Sequence, residues 1–345
     1  MNGHDEWLRS FPKAELHVHL DGSVKPETLR ELAERQGASL PEGDLRGRMT
    51  VDPDCGSLTE YLSKFSFVLP FLQTAEALER VAYETAEQAA DDGCLYVEVR
   101  FAPLLHTERG LTAEEAVKHT VNGLRRAERE LGITARAIVI AMRHEGFERN
   151  REAIEAAARY LGDGVCAVDL AGDEAGYPPE LHQRLFDLAS ERKLPVTIHA
   201  GEAGGAANVR YAVERLGAVR IGHGVRIKED PEVIELVRSR RIPLEMCPLS
   251  NIQTKAADGW ERYPIRDYMD RGLIVTVNTD NRTVSGTTMT NEYKLLAEKL
   301  GFGFDELAAV SLNGIDAAFA DEPLKAELRI RMKRKLAEIG VALKE

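Results

Sequence analysis

The sequence predicts an α/β fold, a single (β/α)8 barrel that spans residues 1–345. Short apolar segments rich in β-branched residues alternate with segments whose apolar residues recur at helical spacing, which is typical of parallel strands covered by helices. We count eight such strands, and eight is the number that closes a (β/α)8 barrel. No internal repeat, low-complexity tract or linker interrupts the pattern, so we expect one domain.

The order of elements follows from this alternation. The first strand lies within residues 12–22 and ends in an Asp-Gly turn. The other strands are expected at residues 95–103, 135–143, 165–174, 195–202, 220–225, 242–250 and 273–280. Helices are expected at residues 26–36, 75–92, 112–131, 150–161, 179–192, 207–216, 230–240 and 264–271. Extra C-terminal helices follow, and we expect Gly301, Gly303 and Pro323 to interrupt them.

An insertion follows the first strand and its helix. Residues 37–57 are rich in glycine, proline and aspartate and predict a loop. Residues 58–69 carry apolar side chains at positions 58, 61, 62, 65, 68 and 69, a spacing that indicates a helix. Such a helix either packs on the core or forms a helical lid over a site at the strand ends.

Composition excludes several classes of protein. A hydrophobic content of 43% and a charged content of 30% are typical of a soluble globular enzyme. The net charge of −12 argues against binding to nucleic acid, which needs a basic face, but not against a nucleoside without phosphates. We find no apolar run near 18 residues and no signal pattern, so we expect a cytoplasmic protein without membrane contact. The four cysteines are widely separated, which favours reduced buried thiols.

Residues with metal-binding side chains lie at the ends of predicted strands. His17 and His19 are two apart on the first strand and therefore project from the same face. His199 ends the fifth strand and Asp280 the eighth, and the carboxyl ends of all strands meet at one mouth of a barrel. Imidazoles and a carboxylate without thiolate suit zinc or a related divalent ion. Taken singly, each residue has a structural alternative, such as a strand-end hydrogen bond or a helix N-cap.

Other polar residues suit roles around a metal-bound water molecule. Glu202, three residues past His199, is a candidate proton shuttle, or else a salt-bridge residue. His223 is flanked by glycines and would orient or deprotonate the water. Gly172 offers a backbone N–H without a side chain in the way, or is a plain turn glycine. Asp21 would accept a hydrogen bond from a hydroxylated substrate or cap the next helix.

Two charged residues are expected inside the barrel. Glu98 and Arg100 alternate on the second strand so that both point inward. We expect them to form a buried pair with each other that orients ligands. The remaining histidines lie on predicted loops or helices without a partner pattern, and the sequence assigns them no role.

Six segments together resemble one known family. They are PKAELHVHLDGS, VDLAGDE, TIHAGE, RIGHGV, PLEMCPLSN and VNTDN, and in this order they are similar to the adenosine deaminase family of the amidohydrolase superfamily. The resemblance runs from about residue 12 to 320. It implies a (β/α)8 barrel with one zinc ion that hydrolyses adenosine or deoxyadenosine to inosine or deoxyinosine and ammonia, a reaction of purine salvage.

The resemblance also implies roles for single residues. The implied zinc ligands are His17, His19, His199 and Asp280. The implied catalytic residues are Glu202, which protonates purine N1, His223, which positions or deprotonates the water, and Asp280, which holds the water beside C6. The implied substrate contacts are His19, Asp21 with a ribose hydroxyl, Gly172 with N3, Asn281, and the lid residues Leu62 and Phe65.

One position departs from the family pattern. The best-known members have a second aspartate where this chain has Asn281, and that aspartate contacts purine N7. An asparagine amide donates a hydrogen bond to N7 without prior protonation, so purine binding is compatible with the change. Other aminopurines are therefore alternative substrates: adenine, an aminofutalosine-type nucleoside, or an adenosine with a larger 5′ group.

Two further classes of function are weighed. A two-metal hydrolase acting on amides or phosphoesters would need a bridging carboxylated lysine at the end of the fourth strand, where residues 169–174 contain none. A non-catalytic binding protein would not need Glu202 or the full set of metal-type residues. Both classes are disfavoured against a deaminase.

Overall fold

The computed structural model describes residues 3–52 and 55–341 and contains eight parallel strands in those residues. The strands are β1 Lys13–His19, β2 Cys94–Phe101, β3 Thr134–Met142, β4 Val165–Ala171, β5 Thr197–Ala200, β6 Arg220–His223, β7 Leu244–Met246 and β8 Val275–Val277. The predicted number and order of strands are confirmed.

The strands close into a ring through two sheets and two junctions. One sheet has the order β1-β2-β3-β4 and the other β5-β6-β7-β8, with parallel pairing throughout. A bridge between Val168 and Val196 joins β4 to the chain before β5, and a bridge between Val18 and Asp280 joins β1 to the end of β8. The predicted (β/α)8 barrel is therefore confirmed, and Asp280 belongs to the seam that closes it.

Helices surround this ring and extend beyond it. The first ten are α1 Gly3–Ser10, α2 Pro26–Arg35, α3 Leu45–Met49, α4 Leu58–Ser63, α5 Phe65–Val68, α6 Ala75–Asp91, α7 Ala113–Leu131, α8 Phe147–Tyr160, α9 Gln183–Glu191 and α10 Ala206–Glu214. The others are α11 Pro231–Ser239, α12 Pro248–Gln253, α13 Ile265–Asp270, α14 Arg282–Ser285, α15 Met289–Leu300, α16 Phe304–Ala317 and α17 Glu322–Glu338. No helix among the described residues is both long and apolar enough to span a membrane.

Local sequence signals fix several helix ends. The longest helix, α7, begins with a capping box in which Thr112 and Glu115 satisfy each other's backbone N–H groups. It ends at Gly132, whose φ of 69° is the left-handed conformation that glycine adopts without strain. The apolar faces of such helices and of the strands form one main core, with three smaller apolar clusters beside it.

Several boundaries differ from the sequence predictions, and serine or proline explains three of the differences. The predicted helix 58–69 is divided into α4, α5 and a 3-10 turn at Leu69–Phe71, where Ser63 and Ser66 hydroxyls donate to backbone carbonyls and disturb regular helix. The predicted strand 242–250 ends at Met246, because Pro248 opens α12. Pro323 likewise lies in the first turn of α17 and does not interrupt it. The short α3 was not predicted.

Candidate metal and active site

The carboxyl ends of β1, β5 and β8 bring metal-type side chains together. Nε2 of His19 lies 3.2 Å from Nε2 of His199 and 3.3 Å from Oδ1 of Asp280. Nε2 of His17 lies 3.4 Å from the same Asp280 oxygen. His17, His199, His223 and Asp280 each offer a ligand atom within 4.8 Å of all the others. The four residues predicted as metal ligands therefore do meet at one point, and His223 lies beside them.

This geometry fits one divalent metal ion. Tetrahedral ligands at ordinary zinc distances lie about 3.3 Å from one another, and the three distances above match that spacing. Nε2 of His17 is buried and has no hydrogen-bond partner among the described residues, as expected of an atom whose lone pair is kept for a metal. The donor set of neutral imidazoles and one carboxylate is that of a metal centre with an open position.

Buried carboxylates fix the orientation of the His17 and His199 imidazoles. Nδ1 of His17 is 2.8 Å from Glu245, and Nδ1 of His199 is 2.9 Å from Asp169. Each imidazole thus donates its Nδ1 proton to a carboxylate and turns an unprotonated Nε2 toward the site. Sequence reasoning missed Asp169 and Glu245. Their signal was an acidic residue within an otherwise apolar strand.

The interior charges pair differently from the prediction. Arg100 donates to Asp169 at 2.8 Å and to Glu245 at 2.6 Å, whereas Glu98 pairs with Arg220. The expected pair between Glu98 and Arg100 was therefore wrong, because both residues point into the barrel but at different depths and meet partners from opposite strands. Arg100 nevertheless helps to orient the metal-type histidines, because it holds Asp169 and Glu245, which contact His199 and His17.

Two site residues have unusual backbone conformations. His223 has φ of 64° and Asp280 has φ of 62°, and both are buried. A non-glycine residue in the left-handed region carries strain, which is concentrated at functional sites. β6 ends at His223, and Asp280 follows the end of β8 by three residues; both side chains line the cavity at the mouth of the barrel.

The tautomer of His223 is set by Asn251. Two donors, the Tyr263 hydroxyl at 2.9 Å and the Cys247 N–H at 3.3 Å, face Oδ1 of Asn251 and fix its amide. Its Nδ2 therefore donates to Nδ1 of His223 at 2.9 Å. Burial and then His17 lower the pKa of His223 well below its usual range. A neutral His223 that accepts at Nδ1 carries its proton on Nε2 and presents a donor to the site.

Glu202 occupies an environment that keeps it protonated. It is 7% exposed, and its Oε2 lies 3.6 Å from Nε2 of His223. Burial raises the pKa of Glu202 well above its usual range, with further contributions from the charges of Asp280 and Glu174. A buried carboxyl whose protonated form is favoured in this way is suited to donate a proton to a bound substrate.

A cavity of about 360 Å³ opens onto this site, a volume within the range of small-molecule pockets. The predicted lid is confirmed in position, since Leu62 and Phe65 of α4 and α5 line the cavity. The other predicted site residues that line it are His19, Asp21, Gly172, His199, Glu202, His223, Asp280 and Asn281. Only His17 does not, because it lies beneath the floor of the cavity with no exposed surface.

The position of the Asn281 side-chain amide requires a glycine at position 22. A Cβ atom on Gly22 would lie 1.8 Å from Oδ1 of Asn281, so only glycine leaves room for that amide. Oδ1 of Asn281 and Oδ1 of Asp21 are buried without a hydrogen-bond partner among the described residues. Both side chains line the cavity with hydrogen-bonding capacity to spare, which is a property of ligand-binding groups.

An eight-stranded parallel barrel whose strand ends gather imidazoles and a carboxylate around one point defines a metal-dependent hydrolase barrel. A family model described as adenosine deaminase matches residues 12–335. The chain belongs to the adenosine deaminase family.

Individual relatives agree with this assignment. The chain is 42% identical over 326 residues to an adenosine deaminase of Clostridium acetobutylicum, which covers 94% of this chain and 97% of that protein. The structure of the present chain is similar to that of an adenine deaminase from Arthrobacter aurescens, with a TM-score of 0.87 and 30% identity over 94% of this chain and 99% of that one. It is also similar to a Zn-bound amidohydrolase from Burkholderia ambifaria, with a TM-score of 0.89 and 26% identity over 98% and 94% of the two chains.

Proposed function

We propose that this enzyme hydrolyses adenosine and deoxyadenosine to inosine and deoxyinosine with release of ammonia, as part of purine salvage. The observation that carries the proposal is a buried carboxyl, Glu202, beside a centre of metal-type donors in one nucleoside-sized cavity. The curated relatives named adenosine deaminase support it. One domain and a cytoplasmic location remain predictions of the sequence.

We propose a single zinc ion as the cofactor, held by His17, His19, His199 and Asp280. The observed spacing of their donor atoms supports this set, as does the Zn bound by the structurally similar amidohydrolase. When bound, zinc lowers the pKa of a water molecule toward ~7 and so provides a nucleophile at neutral pH.

Protein groups around the reacting carbon then have separate roles. Glu202 donates its proton to purine N1, which breaks the aromaticity of the ring and makes C6 electrophilic. His223 donates from Nε2 to the attacking oxygen and orients it, because Asn251 occupies its other nitrogen. Asp280 holds the attacking oxygen beside C6 through its second carboxylate oxygen or its charge. Water adds to C6, one of its two protons moves to the 6-amino group, and the C6–N bond breaks to release ammonia. The other water proton replaces the one that Glu202 gave to N1.

The remaining cavity residues fix the nucleoside. We propose that the Gly172 N–H donates to N3, that the Asn281 amide donates to N7, and that Asp21 and His19 bind the ribose hydroxyl. Gly172 has φ of 113°, a conformation that turns its peptide into the cavity without a side chain. Leu62 and Phe65 cover the apolar face of the purine and exclude bulk water.

The substitution Glu202→Gln tests the acid. Glutamine keeps the shape of the side chain but has no proton to transfer, so we expect kcat for adenosine to fall by about 10²–10⁴-fold. Metal content and inosine binding should stay within about threefold of wild type. The decrease of adenosine absorbance during conversion to inosine gives the rate, and metal analysis of the same sample gives the occupancy.

An exposed glutamate provides the control. Glu214→Gln, at the end of α10, should leave kcat unchanged. Near-normal turnover by Glu202→Gln would remove Glu202 as the acid. A metal-loaded wild type that converts no aminopurine would contradict the proposed function itself.

Adenine is a second candidate substrate. It is favoured by one specific observation, the structural similarity to an adenine deaminase at 30% identity. Asp21 and the lid favour a nucleoside, since the free base would leave the spare acceptor of Asp21 unused. Rates measured under the same conditions for adenosine, deoxyadenosine, adenine and a 5′-extended adenosine decide between them, and a kcat/KM higher for adenine than for adenosine would overturn our choice.

A further inference from the structure

Glu174 lies in the turn after β4 and makes an unusual set of hydrogen bonds. Its carboxylate accepts from four consecutive backbone N–H groups, those of Gly201, Glu202, Ala203 and Gly204, at 2.7–3.0 Å. A fifth donor, Nδ2 of Asn208, lies 3.0 Å away. The residue is only 2% exposed. A single buried side chain thus holds the whole loop that carries Glu202.

This arrangement is not an ordinary helix cap. The helix that follows, α10, starts at Ala206 with Gly205 as its N-cap, and no side chain caps it. The four bonded N–H groups instead belong to the loop between β5 and α10, which has no regular structure to satisfy them. A buried N–H without a hydrogen-bond partner destabilises the folded state, so the conformation of residues 201–204 depends on this carboxylate.

The loop sequence is adapted to the carboxylate. A Cβ on Gly204 would lie 2.6 Å from Oε1 of Glu174 and 2.1 Å from Nδ2 of Asn208. Only glycine therefore allows the carboxylate and its amide partner to approach the backbone. Gly201 has φ of 72°, which turns the chain back at the end of β5. Glu174, Gly201, Gly204 and Asn208 form one unit, which we name the loop anchor.

We propose that Glu174 is the positioning residue for the catalytic acid, so that the loop anchor sets where the Glu202 carboxyl meets purine N1. This inference rests on the proposed function, because it needs Glu202 to be the acid. The hydrogen bonds of the Glu174 carboxylate come from the backbone of residues 201–204 and from Asn208, and none of them comes from a metal-type side chain. The effect of the anchor on the reaction is therefore expected to pass through Glu202 alone.

The substitution Glu174→Gln tests the proposal. Glutamine replaces one acceptor oxygen by an amide group that repels the N–H donors, and the loop shifts. Because a misplacement of about 1 Å costs about 10²-fold in rate, we expect kcat for adenosine to fall by about 10²-fold while KM stays within about threefold. Gly204→Ala displaces the carboxylate without removing its charge and should lower kcat in the same way.

A double-mutant cycle separates positioning from general damage. In a Glu202→Gln background, Glu174→Gln should lower the residual rate by less than about threefold, because the group that it positions is already absent. A merely structural role would instead add its full effect in both backgrounds. Additive losses would therefore overturn the proposal, as would an unchanged kcat. The exposed Glu180, which lies in the same connection between β4 and α9, gives the control variant Glu180→Gln.

Amide hydrogen exchange gives a readout that does not depend on activity. In metal-loaded wild type, the amides of residues 201–204 should be protected, and Glu174→Gln should increase their exchange by at least about tenfold while residues 134–142 of β3 remain unchanged. Unchanged exchange in the loop would contradict the anchor even if the enzyme deaminates adenosine. Increased exchange with no aminopurine conversion by wild type would leave the anchor in place and contradict the proposed function and the role in catalysis.

Discussion

Two groups of buried carboxyl side chains, one inside the barrel and one around its mouth, differ in their charged neighbours. Inside, Glu245 contacts both Arg100 and Arg220, and Asp169 contacts Arg100. Around the mouth, neither Glu202 nor Glu292 forms an ion pair with a lysine or arginine of the described residues. All four residues are almost completely buried.

The two groups accordingly have opposite pKa shifts. Burial alone would raise the pKa of Glu245, but Arg100 and Arg220 outweigh it and hold the pKa well below its usual range. The same balance, with His199 and Arg100 as the charged neighbours, lowers the pKa of Asp169. Without cations, burial dominates, raising the pKa of Glu202 well above the usual range and that of Glu292 to about 8. Burial therefore does not decide the charge of a carboxyl here; its charged and hydrogen-bonding neighbours do. Asp280 at the mouth shows the same, because there the neighbouring imidazoles of His17 and His19 outweigh burial and hold its pKa well below the usual range.

The opposite pKa shifts suit the interior and mouth carboxyls to two different roles. Ionised carboxylates inside the barrel orient His17 and His199 by accepting their Nδ1 protons. A neutral carboxyl at the mouth has a proton to give to a substrate. The residues that orient and the residue that reacts are thus the same chemical group in two electrostatic environments.

Removing a charge from the interior gives the largest expected effect. Glu245→Gln leaves Arg100 and Arg220 buried with less compensation and places an amide against the Nδ1 proton of His17. We expect the free energy of unfolding to fall by about 3–5 kcal/mol, with loss of metal affinity as well. Urea unfolding of the metal-free and metal-loaded protein measures both.

A surface pair serves as the matched control for that experiment. Glu235 pairs with Arg238 on the exposed face of α11, and Glu235→Gln should leave the free energy of unfolding nearly unchanged. Equal losses from Glu245→Gln and Glu235→Gln would show that the interior arginines do not depend on their carboxylate partner.

A smaller effect is expected from Asp169, which contacts a single arginine. Asp169→Asn keeps the shape of the side chain but removes the charge that holds the His199 imidazole with Nε2 toward the metal. We expect metal affinity to fall by about 10–100-fold, measured by competition with a chelator of known affinity. The exposed Asp187 on α9 gives the control variant Asp187→Asn, which should change nothing. Unaltered affinity in Asp169→Asn would mean that His199 needs no carboxylate to orient it.

The sequence predicted the positions of the proposed reacting residues better than the contacts of the orienting ones, for a physical reason. His17, His199, Glu202 and Asp280 lie at or near the carboxyl ends of strands, where a polar residue interrupts an apolar run and the barrel brings the ends together. Which interior charges pair depends on the depth of each side chain and on the strand opposite, neither of which alternation along one strand reveals. The pair expected between Glu98 and Arg100 was wrong for this reason.

Contacts made by loops could likewise not be predicted from the sequence. Asn251 lies on α12, directly after the segment 242–250 that was expected to be strand, and reaches His223 because Pro248 starts a helix there. Glu174 is 27 residues from the first N–H that it accepts. Its hydrogen bonds depend on the close approach of two turns that follow neighbouring strands. Such long-range contacts carry no local sequence pattern.

The last prediction concerns Glu292, the mouth carboxyl that takes no part in the reaction. It lies on α15 and accepts hydrogen bonds from Thr287 at 2.6 Å and from the Leu249 N–H at 3.1 Å. Its pKa is about 8 in the folded protein, against an ordinary value of 4.5. Between these values the folded state binds one proton more than the unfolded chain. Its stabilising contribution is therefore complete below pH 4.5 and is lost as the pH rises through about 8.

Glu292→Gln removes this titration, because glutamine is neutral at every pH. Between pH 6 and 8 we expect the free energy of unfolding of wild type to fall relative to that of the variant by up to about 1.4 kcal/mol per pH unit, the slope that one proton gives. Above pH 8 the variant should be the more stable protein. Urea unfolding at pH 6, 7, 8 and 9 measures the difference, with Glu298→Gln on the exposed face of α15 as the control. A difference independent of pH would place an ionised carboxylate at position 292, and arginine partners would then not be what distinguishes the interior from the mouth.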